Sequence, residues 1–95
     1  MHIITRKRIK DFTRTYPDSK TSLDNWYQIV KRTNYNSLAE LKQHFSSADY
    51  VDGFIVFNIS GNKYRLITAI HFNRKKVYIR GILTHKEYDK NKWKR

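Results

Sequence analysis

Three runs in the second half of the chain decide its fold: FIVFNI at residues 54–59, KYRLITAIHF at 63–72 and VYIRGIL at 77–83. Each run is rich in β-branched and aromatic residues, which are typical of strands. Short polar links containing Gly, Asn, Lys and Arg separate the runs, and links of this kind favour hairpin turns. The sequence therefore predicts a three-stranded antiparallel meander.

The residues before these runs follow the spacing of helices. Apolar residues recur at intervals of three and four in three segments, at Ile9, Phe12 and Tyr16, at Leu23, Trp26, Tyr27 and Val30, and at Leu38, Leu41 and Phe45. Pro17 ends the first segment, and Ser37 with Glu40 has capping-box spacing at the start of the third. Thr84 and Glu87 repeat that spacing after the last strand run and predict a short C-terminal helix or turn.

Helices followed by a strand meander predict an α+β fold, with two or three N-terminal helices packed on a small antiparallel sheet. One sheet face is expected to lie on the helices and the other to face water. His2 to Ile4 is a candidate edge strand. A chain of 95 residues suits one domain, and we expect residues 1–95 to form it.

Positive charge is concentrated in the strand half. The chain has 20 Lys and Arg against 8 Asp and Glu, a net charge of +12. Residues 1–52 contain nine basic and six acidic side chains, whereas residues 53–95 contain eleven and two. A field of this size attracts polyanions, so nucleic acid is the first partner to expect.

Several classes of protein are excluded or disfavoured. The chain has no cysteine, which excludes a disulfide framework, a thiolate nucleophile and a Cys-ligated zinc. We expect no metal and no other cofactor. Its longest apolar run, 54–57, is too short to span a bilayer, and charges follow the first four residues where a signal peptide would be apolar. The expectation is a soluble, cytoplasmic protein without a membrane partner.

Alternation along the last two strand runs gathers cations on one sheet face. In the run 63–72 it places Lys63 and Arg65 on the face opposite Tyr64 and Leu66. In the run 77–83 the apolar set of Val77, Ile79, Gly81 and Leu83 is expected to face the core, which leaves Tyr78, Arg80, Ile82 and Thr84 on the other side. His85 and Tyr88 follow directly. The pattern predicts guanidinium, ammonium, imidazole and phenol groups in one concavity.

This mixture suits metal-free cleavage of RNA. The ribose 2′-hydroxyl attacks its own phosphate, so the enzyme removes one proton, supplies another and stabilises a charged phosphorane. We assign phosphorane binding to Arg65, phosphate positioning to Arg80 and Lys63, and proton transfer to His85 and Tyr88. Further RNA contacts are expected from Asn58, Asn62, His71, Arg74, Lys75, Lys76, Lys86 and Lys90.

Each candidate also has an ordinary structural explanation. Arg65 in mid-sheet is equally an ion-pair partner or a solvated residue. Lys63 beside a turn is usually a solvated charge, and the face that carries Arg80 equally suits packing against a partner. His85 at a helix start is often a surface group, Tyr88 is well placed to pack on Leu83, and Trp93 is expected to dock on the protein body rather than on a base.

The runs VFNISGNKYRLITAIHF (56–72) and KKVYIRGILTHKEYDKNKW (75–93) resemble the HigB family of toxins, within the wider RelE/ParE superfamily. MHIITRKRIKDF at the start and WYQIVKR at 26–32 fit as well, so the resemblance covers nearly the whole chain. It implies a RelE-like fold and the toxin of a type II toxin-antitoxin system, an mRNA interferase that arrests growth. It also implies that Arg65 corresponds to the strand arginine that contacts the scissile phosphate, whereas Val56 and Asn58 stand where RelE-like toxins have lysines.

The resemblance also implies partners. These are mRNA, cleaved during translation on the ribosome, and a HigA-like helix-turn-helix antitoxin that holds a monomeric toxin inside a toxin-antitoxin heterotetramer. The leading hypothesis predicts products with a 2′,3′-cyclic phosphate and a 5′-hydroxyl. Two alternatives stay open: an RNA-binding inhibitor of translation that does not cleave, and a ParE-like gyrase poison, since one fold hosts several activities.

Overall fold

The computed structural model describes residues 1–94, which form the predicted α+β fold. The strands are β1 (His2–Ile4), β2 (Asp49–Val51), β3 (Phe54–Ile59), β4 (Tyr64–His71) and β5 (Lys76–Thr84). The helices are α1 (Lys7–Thr15), α2 (Lys20–Arg32), α3 (Leu38–His44) and α4 (His85–Asp89). Single 3-10 turns lie at Pro17–Ser19 and Phe72–Arg74. None of the described helices is long and apolar enough to cross a bilayer.

The sheet has five strands in the order β1-β5-β4-β3-β2, so the predicted meander of three is its centre. β1, the predicted edge strand, pairs in parallel with β5, and every other pairing is antiparallel. β2 was not predicted. It joins β3 through Asp52 and Gly53, both at positive φ (52° and 87°), which is the backbone that an Asp-Gly hairpin turn requires.

The main core lies between the helices and one face of the sheet. Ile9 of α1, Trp26 of α2 and Leu41 of α3 pack against buried residues of the central strands, among them Phe57 and Leu66. Trp26 meets Phe57 edge to face, with ring centroids 5.4 Å apart. The predicted inward face of β4 is confirmed, because Tyr64 and Leu66 belong to this core. Arg65 of β4 is therefore carried by the opposite face.

The facing of the last residues of β5 differs from the prediction. The pairing of β4 with β5 shifts between Ile67 and Thr68, whose partners are Gly81 and Ile79, so Arg80 is the extra residue of a β-bulge. Beyond the bulge the alternation is reversed. Ile82 packs with the helix-side core, while Leu83 packs on the opposite face. The expectation that Leu83 faces the core and Ile82 does not was wrong.

The second sheet face is not simply open to water, as had been expected. Phe54, Val56 and Ile67 form a small buried cluster there, and the partly buried Tyr88 and Trp93 pack on it. Trp93 donates a hydrogen bond from Nε1 to the Tyr88 carbonyl oxygen at 2.9 Å, and the two rings stack with centroids 4.9 Å apart. The predicted docking of Trp93 on the protein body is confirmed. The C-terminal segment thus covers part of the face that carries Arg65.

Candidate active site

Arg65 lies near the start of β4 with its guanidinium half-buried at the sheet surface. Nη1 donates to the carbonyl oxygens of Asn62 (3.1 Å) and Tyr64 (3.2 Å), and Nη2 lies 3.3 Å from Nδ1 of His85. The guanidinium carbon also lies 5.3 Å from the centre of the Tyr88 ring. A guanidinium has five N–H groups, so three hydrogen bonds leave two for another acceptor.

His85 is brought to Arg65 by two backbone features. Its N–H donates to the Lys63 carbonyl oxygen at 3.0 Å, and it is the first residue of α4, whose capping box is complete. Thr84 Oγ1 accepts from the Glu87 N–H, and the Glu87 carboxylate accepts from the Thr84 N–H at 3.0 Å. The predicted C-terminal capping box is confirmed. It fixes the direction in which the chain leaves β5 and so the place of the imidazole.

The imidazole of His85 lies between a cation and a carboxylate. Because arginine carries only donors, the contact with Arg65 requires Nδ1 to accept, and the ring proton is then on Nε2. Nε2 lies 3.2 Å from the Asp89 carboxylate, one helical turn on. The two side chains are 55% and 60% exposed, so their pairing adds little stability. Its main consequence is to direct the lone pair of Nδ1 toward Arg65.

Tyr88 lies on the other side of the Arg65 guanidinium. Its ring is partly buried between that cation and Trp93, and it packs in the same cluster as Leu83. No hydrogen bond of its hydroxyl is found among residues 1–94. Packing on this cluster and contact with Arg65 therefore occur together. The structure thus brings both His85 and Tyr88 into contact with Arg65 at one end of this sheet face.

Lys63 takes a different position. Its ammonium forms an ion pair with Asp18, in the 3-10 turn before α2, and the Tyr64 hydroxyl donates to the same carboxylate at 2.7 Å. These hydrogen bonds, that of Lys63 first, hold the pKa of Asp18 below its usual value. The carboxylate in turn raises the pKa of Lys63 and of Tyr64. The Lys63 carbonyl oxygen also accepts from the His85 N–H, so its backbone belongs to the site. Its side chain is 64% exposed, and phosphate positioning by its ammonium stays a prediction.

Arg80 is exposed on the same face as Arg65. Its side chain lines a hollow together with Ile67, Leu83 and Trp93, and the bulge at this residue turns Leu83 to the same face. Within residues 1–94 it has no hydrogen bond or ion pair. Its side chain is therefore available to a ligand.

The other predicted RNA contacts separate into two groups. Asn58 pairs directly with Arg65 across β3 and β4, the Asn62 carbonyl holds the guanidinium, and Lys86 and Lys90 are exposed on or just after α4. The second group consists of His71, Arg74, Lys75 and Lys76. It lies at the far end of β4, six residues or about 20 Å from Arg65. The two groups do not form one site, although an extended strand of RNA spans such a distance.

One residue of the second group is already engaged within the protein. The Lys75 ammonium donates to the Tyr35 carbonyl oxygen at 3.0 Å and to the Asn36 side chain. It therefore ties the β4–β5 turn to the segment between α2 and α3. His71 is exposed, and its ring meets Tyr78 edge to face, with centroids 5.4 Å apart.

Two residues beside the site had not been predicted to take part. Asp89 orients His85, and Trp93 supports the Tyr88 ring. The contact of Asp89 with His85 could have been predicted, because the two residues are four positions apart on a predicted helix. No local pattern indicates that Trp93 supports the Tyr88 ring. Within the described range 1–94, no three His, Asp or Glu side chains converge as a metal site requires.

Comparison with known proteins identifies the family of this chain. The model of the HigB toxin family, the RelE-like toxic component of a toxin-antitoxin system, matches residues 19–91. The chain belongs to the HigB toxin family. The matched range contains Arg65, His85, Tyr88 and Asp89, and the resemblance inferred from the sequence is confirmed.

Curated members of the family are similar over nearly their full length. The mRNA interferase toxin HigB of Escherichia coli (strain K12) is 39% identical over 92 residues, which cover 94% of this chain and 88% of that protein. The mRNA interferase HigB of Shigella flexneri gives the same values. The mRNA interferase HigB of Escherichia coli O6:H1 (strain CFT073) is 31% identical over 93 residues, which cover 95% and 90%.

Proposed function

We propose that this chain is an mRNA interferase, an endoribonuclease that arrests growth by cutting messenger RNA. The observation that carries the proposal is the contact of Arg65 with both His85 and Tyr88 on an accessible sheet face. A guanidinium with two unpaired N–H groups, an imidazole lone pair and a phenol hydroxyl supply what cleavage by the 2′-hydroxyl needs. The family and the names of the curated relatives support the same activity.

The proposed reaction uses the ribose as nucleophile. The two unpaired N–H groups of Arg65 bind nonbridging oxygens of the phosphate. Nδ1 of His85 exchanges its contact with Arg65 for the 2′-hydroxyl and accepts the proton of that hydroxyl. The 2′-oxygen bonds to phosphorus, the bond to the 5′-oxygen breaks, and Tyr88 gives that oxygen its proton. The products are a 2′,3′-cyclic phosphate and a 5′-hydroxyl, and the Arg65 cation stabilises the phenolate that forms.

The proposal extends to the surroundings of the toxin. We propose that the whole chain is one toxin domain, that it acts in the cytoplasm on mRNA held by the ribosome, and that a HigA-like helix-turn-helix antitoxin inactivates it within a heterotetramer. A net charge of +12 favours an acidic or amphipathic antitoxin segment over the strand half of the surface. Exposed Lys86 and Lys90 beside the site are available to either RNA or antitoxin.

Induction in cells tests the proposed function. The chain and its Arg65→Ala variant are expressed from a repressible promoter, and 5′ ends of cellular mRNA are mapped by primer extension. The proposal predicts growth arrest with new, discrete 5′ ends that the variant does not produce. Arrest without new ends would point to RNA binding alone, and arrest accompanied by DNA breaks would point to gyrase; either result would reject cleavage.

A further inference from the structure

A hollow beside the candidate site has no part in the steps above. It has a volume of about 200 Å³ and is lined by Phe54, Ile67, Arg80, Gly81, Leu83 and Trp93. Pockets for drug-sized ligands are roughly 300–1,000 Å³. The hollow is therefore suited to one planar ring system rather than to a larger molecule.

The strand register places the hollow next to the reacting phosphate. Leu83 pairs directly with Arg65, and Gly81 pairs with Ile67 two positions further along β4. Side chains paired across two strands lie about 5 Å apart, and second neighbours along a strand about 7 Å apart. A nucleotide whose phosphate is bound by Arg65 can therefore reach the hollow with its own base.

The chemistry of the lining matches a nucleobase. Ile67 and Leu83 present apolar surface on which the face of a base can stack, and the Trp93 indole, one face of which stacks on Tyr88, completes the apolar wall. Arg80 adds a guanidinium with no hydrogen bond or ion pair among the described residues. Lys90 and Lys92 line the adjoining cleft together with Glu87, whose carboxylate accepts from Thr84, and the cleft shares Leu83 and Trp93 with the hollow. These cations favour an anionic strand over an apolar protein segment.

Arginine at the hollow distinguishes between bases. Guanine presents two acceptors, O6 and N7, to the parallel N–H groups of a guanidinium, whereas adenine presents one acceptor and one donor. We propose that this hollow is a nucleobase subsite that takes the base next to the scissile phosphate and favours guanine. The inference rests on the proposed RNA cleavage, and it assigns to Arg80 the reading of a base rather than the holding of a phosphate.

The first test replaces Arg80, the residue proposed to recognise the base. A set of RNAs that differ only in the base beside the cut is cleaved by the wild type and by Arg80→Gln. Glutamine pairs with adenine, so the ratio of guanine to adenine cleavage is expected to fall about tenfold to a hundredfold. Arg14→Gln, which removes an exposed guanidinium on α1, is the matched control and should keep the wild-type ratio. An unchanged ratio in Arg80→Gln would overturn the subsite.

Filling the hollow is the second test. A Cβ placed on Gly81 meets no atom within 4 Å, so a side chain can start there without displacing the strand and extend into the hollow that Gly81 lines. Gly81→Leu is expected to lower cleavage at guanine-flanked positions about tenfold and to remove the dependence on the neighbouring base. If Gly81→Leu keeps the wild-type cleavage pattern but escapes neutralisation by the antitoxin, the hollow is a protein-docking pocket and the proposal is rejected.

A binding measurement separates this inference from the proposed function. Dinucleotides with a 2′-deoxy linkage cannot be cleaved, and their binding is followed through the fluorescence of Trp93, which lines the hollow. Tighter binding of the guanine than of the adenine dinucleotide, lost in Gly81→Leu, supports the subsite even if the wild type cleaves no RNA. Equal binding of the two, alongside normal RNA cleavage, rejects the subsite and leaves the proposed function intact.

Discussion

Replacement of Arg65 by lysine and by alanine gives the most quantitative prediction. The side chain makes three hydrogen bonds within the protein, which leaves two N–H groups for the phosphorane. Loss of one donor to a developing oxyanion costs about 2.7–4 kcal/mol, or roughly 10²–10³ in rate. Lysine keeps the charge but cannot present two parallel N–H groups to the phosphorane, so Arg65→Lys is expected to lower single-turnover cleavage about 10²-fold. Arg65→Ala loses both donors and is expected to lower it by at least about 10³-fold.

Stability measurements separate this effect from a folding defect. Arg65 also holds the β3–β4 turn through the carbonyls of Asn62 and Tyr64, so either variant is expected to lose about 1–2 kcal/mol of unfolding free energy. Urea unfolding checks this, and rates are compared only where each variant is folded. Arg14→Ala serves as the charge-matched control on the helix layer. Cleavage by Arg65→Ala within about threefold of the wild type would refute the reasoning.

Three further changes have defined outcomes. Asp89→Asn removes the carboxylate that orients His85, and the cleavage rate should fall roughly tenfold while the urea midpoint is unchanged. This loss is part of the ~10²–10⁴-fold acceleration that a positioned base supplies. Asp89→Glu should restore most of the rate, and an undiminished rate in Asp89→Asn would show that Asp89 has no part in the site. The pKa of Asp18 is lower in the folded than in the unfolded state, so its contacts stabilise the fold above the unfolded-state pKa of about 4, and this stability is lost as pH falls through the folded-state pKa. Urea unfolding of Asp18→Asn should therefore show lower stability than the wild type at pH 7 and a smaller decline toward pH 3. Parallel plots of stability against pH for the two proteins would contradict this. Trp93→Ala removes a partly buried ring from the second cluster and should cost about 2 kcal/mol, less than the ~3–5 of a fully buried aromatic; an unaltered urea midpoint would mean that the C-terminal segment does not dock in solution.

The parts of the fold that were predicted correctly depend on local patterns. Alternation along β4 assigns Tyr64 and Leu66 to the core and Arg65 to the opposite face, and the structure agrees. The spacing of Thr84 and Glu87 predicts the capping box that starts α4. Together these two local features bring His85 and Tyr88 to Arg65. The reason is that β5 runs antiparallel to β4, so its last residues and the capped start of α4 lie beside the first residues of β4.

The facing of Ile82 and Leu83 was predicted wrongly because it depends on pairing between strands. The extra residue at Arg80 reverses the sheet face to which every later side chain of β5 points. Alternation counted along one strand cannot reveal such a bulge, because the bulge depends on the pairing with β4. The ion pair of Lys63 with Asp18 joins residues 45 positions apart, so it follows from the packing of the turn and not from any local spacing. The β2 hairpin is different: its Asp-Gly turn was visible in the sequence and was missed.

The chemistry of the cut ends tests the central claim most directly. Purified toxin is incubated with translating ribosomes on a defined mRNA, and the fragments are treated with polynucleotide kinase with and without its phosphatase activity. Attack by the 2′-hydroxyl predicts 5′ ends that accept phosphate directly and 3′ ends that carry a cyclic phosphate. Fragments with 5′-phosphate and 3′-hydroxyl ends would show that water, not the ribose, is the nucleophile, and would contradict the roles given to Arg65, His85 and Tyr88.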